Sequence, residues 1–344
     1  MKSLLPLSIL ALSLIPRTQA ELFWVKGIEC ENNDWHTATG WYDVNKHYNW
    51  DYSTNSEEED GDNNLCWAAS SSNLIAWWQD QHPGAAQMAG AAEREEDIWQ
   101  VYKDSFADNG GHTASGMRWW FDGKTPAVPA QKPGHETAGY YSEYLAFENG
   151  DDASDYINDR YVDEFYHDAY GTYPDIFDGS NHLLALSYEI KQLITSGNGI
   201  SLYIGSLSEG SQTIGGAHAI TLWGIDYNME TGLLEKLYIT DSDDIAWGYY
   251  GLQEVEVSAD TARTAAIYEG FPTVEMFTLR HTEKSGYASY GSQYEYMYKN
   301  DYALYGYAYL DSALPINSPQ VPEPATATLS LLALAGLCSR RRRK

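Results

Sequence analysis

The sequence predicts an α+β fold, a helical part followed by an antiparallel sheet part. Three helix-compatible stretches, Cys66 to Gln81, Ala91 to Phe106 and His182 to Thr195, come first, and short strand-like runs begin at Ile200. Gly197 and Gly199 punctuate the change between the two periods.

The elements follow in order. Met1-Lys2, an apolar run from Leu4 to Ile15 and Thr18-Gln19-Ala20 have the layout of a secretory signal peptide, placed at 1–20. A membrane-anchoring first helix is the alternative, but the run falls short of the roughly 20 apolar residues that a span needs. An acidic loop, Glu57 to Asp62, lacks the oxygen-ligand spacing of a calcium hand. From Cys66 to Gln81 the spacing predicts a helix with Trp67, Leu74 and Trp78 on one side and Asn63 or Asn64 as its cap. A second helix is expected over Ala91 to Phe106 and a third over His182 to Thr195. Strands are expected at Ile200–Ile204, Ala217–Ile225 and Leu237–Thr240, the last ending at Asp241-Ser242-Asp243-Asp244. From Tyr287 to Tyr309 alternating tyrosines read as a hairpin with an aromatic face, placed at 286–315. Packing on the domain is its default role, and a binding surface the alternative.

The far end carries Val321-Pro322-Glu323-Pro324, an apolar stretch from Ala325 to Leu337 and Arg340 to Lys344. This layout, over 320–344, resembles the PEP-CTERM sorting signal of Gram-negative bacteria. The resemblance implies export across the inner membrane, sorting machinery that acts on the tail, and a final place in the envelope or outside the cell. A short permanent anchor is the alternative.

With both ends removed, 14 basic residues face 48 acidic ones, a net charge of −34. Such a surface repels phosphate backbones and anionic lipid, so nucleic acid is not an expected partner. Removal of Cys338 with the tail leaves Cys30 and Cys66, too few for a disulfide-stapled secreted fold. They form either one disulfide or at least one functional thiol.

The surroundings of Cys66 favour the thiol. A thiolate needs nearby positive charge, which a helix N-terminus and an imidazolium supply, and Cys66 opens the predicted helix. His218 lies on a predicted strand in Gly215-Gly216-Ala217-His218-Ala219-Ile220, and Asp241 ends the next strand. Neighbouring antiparallel strands can set Asp241 beside the imidazole to fix its tautomer, the logic of a nucleophile–base–orienter triad. No cofactor and no metal is expected.

Several blocks resemble the immunoglobulin-degrading cysteine proteases of streptococci, the IdeS or Mac family. They are Trp24-Val25-Lys26-Gly27, Gly40 to Lys46, Asn63 to Ala69 with Asn73 to Trp78, His218 to Asp226, and Tyr238 to Asp243. The resemblance runs from about Phe23 to Leu279, with a poorly matched middle from about His82 to Asn181. It implies a papain-like cysteine protease fold over 21–285, a protein substrate and cysteine endopeptidase activity. It implies Cys66 as nucleophile, His218 as base, Asp241 as third member, Asp243 as a second carboxylate and Lys46 in the oxyanion hole. A solvated strand-end lysine is the plain alternative for Lys46. Trp67, where the streptococcal pattern has a small residue, and the tyrosine hairpin depart from the family. Immunoglobulin as substrate therefore stays one possibility among extracellular proteins. A cell-wall amidase or endopeptidase of the Cys-His type, and a surface binding module with an inactive site, stand as rival functions.

Overall fold

The computed structural model describes residues 20–46, 50–51, 56–57, 62–124, 131–134, 139–148, 150–162, 164, 182–207, 212–243, 251–267, 269, 273–282 and 302–317. The expected signal peptide (but for Ala20), most of the acidic loop, the first arm of the tyrosine hairpin and the sorting tail lie outside the described residues.

Long strands in the second half of the chain build a barrel. In chain order the strands are β1 (Ala20–Trp24), β2 (Trp50–Asp51), β3 (Ser56–Glu57), β4 (Ile157–Tyr161) and β5 (Gly199–Ser206). They continue with β6 (Gly215–Asn228), β7 (Leu234–Thr240), β8 (Gln253–Ala266), β9 (Thr273–His281) and β10 (Tyr302–Leu310). Strands β6, β5, β10, β9, β8 and β7 pair antiparallel in that order, and β7 closes back on β6. Ring closure removes the unpaired edges that an open sheet would present. The longer staves outrun the ring. Along one edge of β6, Gly215–Leu222 faces β5 and Gly224–Asn228 faces β1; along one edge of β10, Tyr302–Leu304 faces β9 and Gly306–Leu310 faces β4.

The helices are α1 (Cys66–Gln81), α2 (Ala85–Ala89), α3 (Glu95–Ser105), α4 (Thr113–Asp122), α5 (Ala153–Tyr156) and α6 (His182–Thr195). Helix α1 is buried on all sides, every residue from Trp67 to Gln79, because β5 and β6 cover one flank and α3 and α4 another. Its small residues permit this. Ser70 Oγ lies 2.8 Å from Ser201 Oγ and 3.0 Å from Thr221 Oγ1, which satisfies three buried hydroxyls at once. Glycines opposite the tryptophans do the same work: a Cβ on Gly199 would stand 2.8 Å from the Trp77 ring, and one on Gly116 2.7 Å from Trp67. Trp67, Trp77 and Trp78 are almost fully buried. Each large side chain buried this way contributes on the order of 2–3 kcal/mol.

This architecture corrects the α+β expectation of a papain-like helical part followed by a sheet part. The dominant unit is a closed antiparallel six-stranded barrel with extra strands, and the helices lie against it within one continuous core. Period-two alternation marks strands but carries no information about which distant strands pair. Closure depends on β10, from a segment placed beyond the domain, lying between β5 and β9. Locally the expectations fare better. Helix α6 has the expected bounds, α1 runs from Cys66 to Gln81, and the expected second helix, Ala91 to Phe106, is the shorter α3, while α2 before it was not expected. Neither asparagine caps α1. Leu65 occupies the N-cap without a side-chain bond, and the Asp108 carboxylate instead accepts from Asn64 N at 2.6 Å.

Candidate active site

Three separate stretches of chain meet at the start of α1. The first is the helix itself. Cys66 is its first residue, and the Cys66 N–H makes no hydrogen bond among the described residues, as expected for a first-turn amide. The second is the adjoining pair β6 and β7, joined through Thr221 and Thr240. Strand β6 carries His218, and Asp241 follows directly on β7.

His218 Nε2 lies 2.6 Å from Asp241 Oδ1, and Asp241 is 1% exposed. A buried carboxylate at that distance fixes the proton on Nε2 and leaves Nδ1 for the thiol. Asp241 Oδ1 also accepts from Asp243 N at 2.9 Å, so the carboxylate is itself oriented. The Cys66 thiol stands close enough to the His218 side chain and the Ala219 N–H for both to favour its thiolate.

The third stretch is Trp41–Lys46, which ties the helix to the barrel. Asn73 on α1 accepts from Val44 N at 2.9 Å and donates to Thr221 Oγ1 at 3.0 Å. Thr240 Oγ1 donates to Tyr42 O at 2.8 Å, and Lys46 N donates to Ser242 O at 2.9 Å. These bonds bring a buried Lys46 to the site, 5% exposed, with Nζ 2.7 Å from Asp243 Oδ1 and 2.6 Å from Asn63 O.

The electrostatics follow from this placement. Burial pushes the Cys66 thiol up, but the His218 hydrogen bond and charge, the Lys46 ammonium and the Ala219 N–H together hold it below its ordinary value. Burial pushes His218 down, yet the charge and hydrogen bond of Asp241, with those of Cys66, hold it well above the usual histidine range. Burial likewise opposes the Lys46 charge, and Asp243, Cys66 and Asp241 outweigh it. All three shifts favour the charged forms: the thiolate, the imidazolium and the ammonium.

All five sequence-derived residues, Cys66, His218, Asp241, Asp243 and Lys46, therefore converge. Cys30 and Cys66 are free thiols, not a disulfide. The imidazole and the two carboxylates lie close enough to share a metal ion, with ligand atoms within 4.8 Å of one another. Lys46 already supplies a positive charge to Asp243 there.

Sequence reasoning missed Asp43 and Asn73. Asp43 Oδ2 accepts from Gly251 N at 3.0 Å and Asn45 Nδ2 at 3.2 Å, while its buried Oδ1 has no partner among the described residues. Burial raises Asp43 to about 6, and Asp241 adds to the rise. Asp43 stands three residues before Lys46, which was the available signal; Asn73 carried none beyond a polar residue inside a buried helix.

The family model described as Mac 1 matches residues 31–107 and 174–271, just over half of the chain. The chain belongs to this family. Both matched segments carry site residues, the first Lys46 and Cys66, the second His218, Asp241 and Asp243. The PEP-CTERM protein-sorting motif matches residues 320–344, which marks an exported protein sorted to the envelope by its C-terminus. Among the described residues no helix is long and apolar enough to cross a membrane. No curated protein matches the chain.

Proposed function

We propose that this chain is a cysteine endopeptidase acting on a protein outside the cytoplasm. The observation that carries the reading is the Cys66–His218–Asp241 chain, with its 2.6 Å imidazole–carboxylate contact at the start of a buried helix. A resting thiolate needs no further base for attack.

The steps balance with these residues alone. The Cys66 thiolate forms a C–S bond to the peptide carbonyl carbon, and the carbonyl electron pair moves to oxygen. The oxyanion collapses, the C–N bond breaks, and the His218 imidazolium gives its proton to the departing amine. Neutral His218 then takes a proton from water, whose oxygen attacks the thioester and releases the acid and the thiolate. Asp241 keeps the imidazole in one tautomer and stabilises its charged form.

The oxyanion has two candidate donors. Among the described residues the Cys66 N–H is unengaged, and Lys46 gives two of its three ammonium hydrogens to Asp243 and Asn63 O. Each such donor contributes about 3–4 kcal/mol to the transition state.

The deciding experiment is iodoacetamide labelling of the mature protein across pH, read by mass spectrometry at Cys30 and Cys66. Fast alkylation of Cys66 well below pH 8, slowed in His218→Ala, is the expected result. A Cys66 that alkylates no faster than Cys30 at neutral pH ends the peptidase reading.

A further inference from the structure

A second cluster of titratable and aromatic side chains lies across the sheet from the thiol. Register puts Tyr161 of β4, Gly306 of β10, Tyr203 of β5 and Ala219 of β6 in one row. Paired residues on an antiparallel sheet present to the same face. Ala219 directly follows His218 on β6, and its N–H favours the Cys66 thiolate.

Gly306 allows the two tyrosines to meet. A Cβ there would stand 2.7 Å from Arg160 O and 3.0 Å from the Tyr161 ring. Without it, Tyr161 and Tyr203 stack with centroids 5.6 Å apart and an angle of 19°. A register shift between Leu304 and Gly306 brings in Tyr305, stacked 6.2 Å from Tyr161 and 6.1 Å from Tyr203. Tyr203 and Tyr305 are buried and Tyr161 is half-buried, so the slab reaches the surface through Tyr161.

Polar groups border that exposed end. Tyr161 Oη lies 2.7 Å from His112 Nδ1 and 3.3 Å from Asp159 Oδ2, and His112 Nδ1 lies 3.6 Å from Asp159 Oδ2. The loop that carries His112 is fixed to the nucleophile's own neighbour, because Trp67 Nε1 donates to Asn109 O at 3.1 Å. Thr113 N donates to Tyr203 Oη at 3.1 Å, which closes the far side.

We propose that Tyr161 and Asp159, backed by Tyr203 and Tyr305, form a specificity subsite for a lysine or arginine side chain of the substrate. A tyrosine face beside a carboxylate suits a cation, and the chain's 49 acidic against 21 basic residues favour a basic partner. Three interstrand steps of about 4.8 Å separate Tyr161 from Ala219, roughly 14 Å. An extended peptide rising about 3.3 Å per residue covers that in about four residues. The subsite therefore reads the side chain about four residues from the scissile bond. This inference rests on the peptidase reading.

The test is digestion of a diverse peptide library by wild type, Asp159→Asn and Tyr161→Ala, with residues around each cut identified by mass spectrometry. Wild type is expected to enrich Lys or Arg about 5–10-fold at one position three to five residues from the cut, as a cation–π contact beside a carboxylate predicts. Both variants should reduce that cationic-to-neutral ratio to near one. Matched circular dichroism spectra, and Tyr161→Phe, which keeps the ring, guard against a loss due to misfolding. Cleavage without cationic enrichment, enrichment of aromatic residues instead, or enrichment that survives in both variants overturns the subsite alone. Absence of all cleavage with an unreactive Cys66 removes the peptidase reading and the subsite with it.

Discussion

The Lys46 ammonium sits 2.7 Å from Asp243, and the lysine backbone is held by Ser242 of the same turn. The cation is thereby tied to the turn that also carries Asp241, and it adds its charge to the field that lowers the Cys66 thiol. Lys46→Met keeps most of the apolar stem and removes the charge. The expected outcome is a 10²–10³-fold fall in kcat with a smaller change in KM, the magnitude for loss of one oxyanion donor. The Cys66 alkylation midpoint should also move to higher pH. Unchanged kcat and midpoint would return Lys46 to a structural role.

Asp241→Asn preserves shape and removes charge. Asp241 raises His218, and charged His218 lowers Cys66, so the variant should lower the histidine and raise the thiol. The thiolate–imidazolium window narrows from both sides. Expected is a fall of kcat by about 10⁴-fold, as for loss of the orienting carboxylate in other triads. Histidine titration by NMR and the alkylation profile measure the two shifts independently.

Asp43 predicts a pH dependence of stability rather than of chemistry. Its folded value of about 6 lies above its ordinary 3.8, so the folded protein binds that proton more tightly than the unfolded chain. The resulting stabilisation is present below pH 3.8 and is lost as pH rises through 6, about 2–3 kcal/mol in all. Asp43→Asn should therefore raise the melting temperature at pH 7 relative to wild type, with little gain at pH 4. An equal gain at both values would place the effect elsewhere.

Gly116→Ala tests how tightly the nucleophile's helix is packed. The added methyl would stand 2.7 Å from the Trp67 ring and 2.8 Å from Ser71 Oγ, and Trp67 directly follows Cys66. Overpacking of this kind costs about 1–3 kcal/mol. Chemical denaturation should show that loss, and Cys66 alkylation should slow as α1 shifts. Wild-type stability would mean that α4 moves away without cost.

Three of the candidate site residues were legible before the structure because each lies on or next to an element with a strong local signature, whereas Lys46 and Asp243 came only with the family resemblance. Cys66 opens a helix of small and aromatic residues, His218 interrupts an apolar strand, and Asp241 ends the next one. The strand β10 was legible as alternating tyrosines, but its place was not. Alternation is the same whether a strand lies at an edge, in a hairpin or in a barrel wall. Helix α4 was missed altogether, although Trp119, Trp120 and Phe121 on it are fully buried.

By itself the sequence displayed the C-terminal sorting motif, the acidic composition, the bounds of α1 and α6, and the five candidate site residues. These depend on local spacing and residue type, which a linear chain displays directly. Only the tertiary structure decided that the strands close into a barrel, that Lys46 is buried against Asp243, that Asp43 carries a buried oxygen unpartnered among the described residues, and that Tyr161 and Tyr203 stack across Gly306. Each of those relationships joins residues far apart in the chain or depends on what water is excluded from. Burial and long-range pairing arise when the chain packs, and no local pattern encodes them.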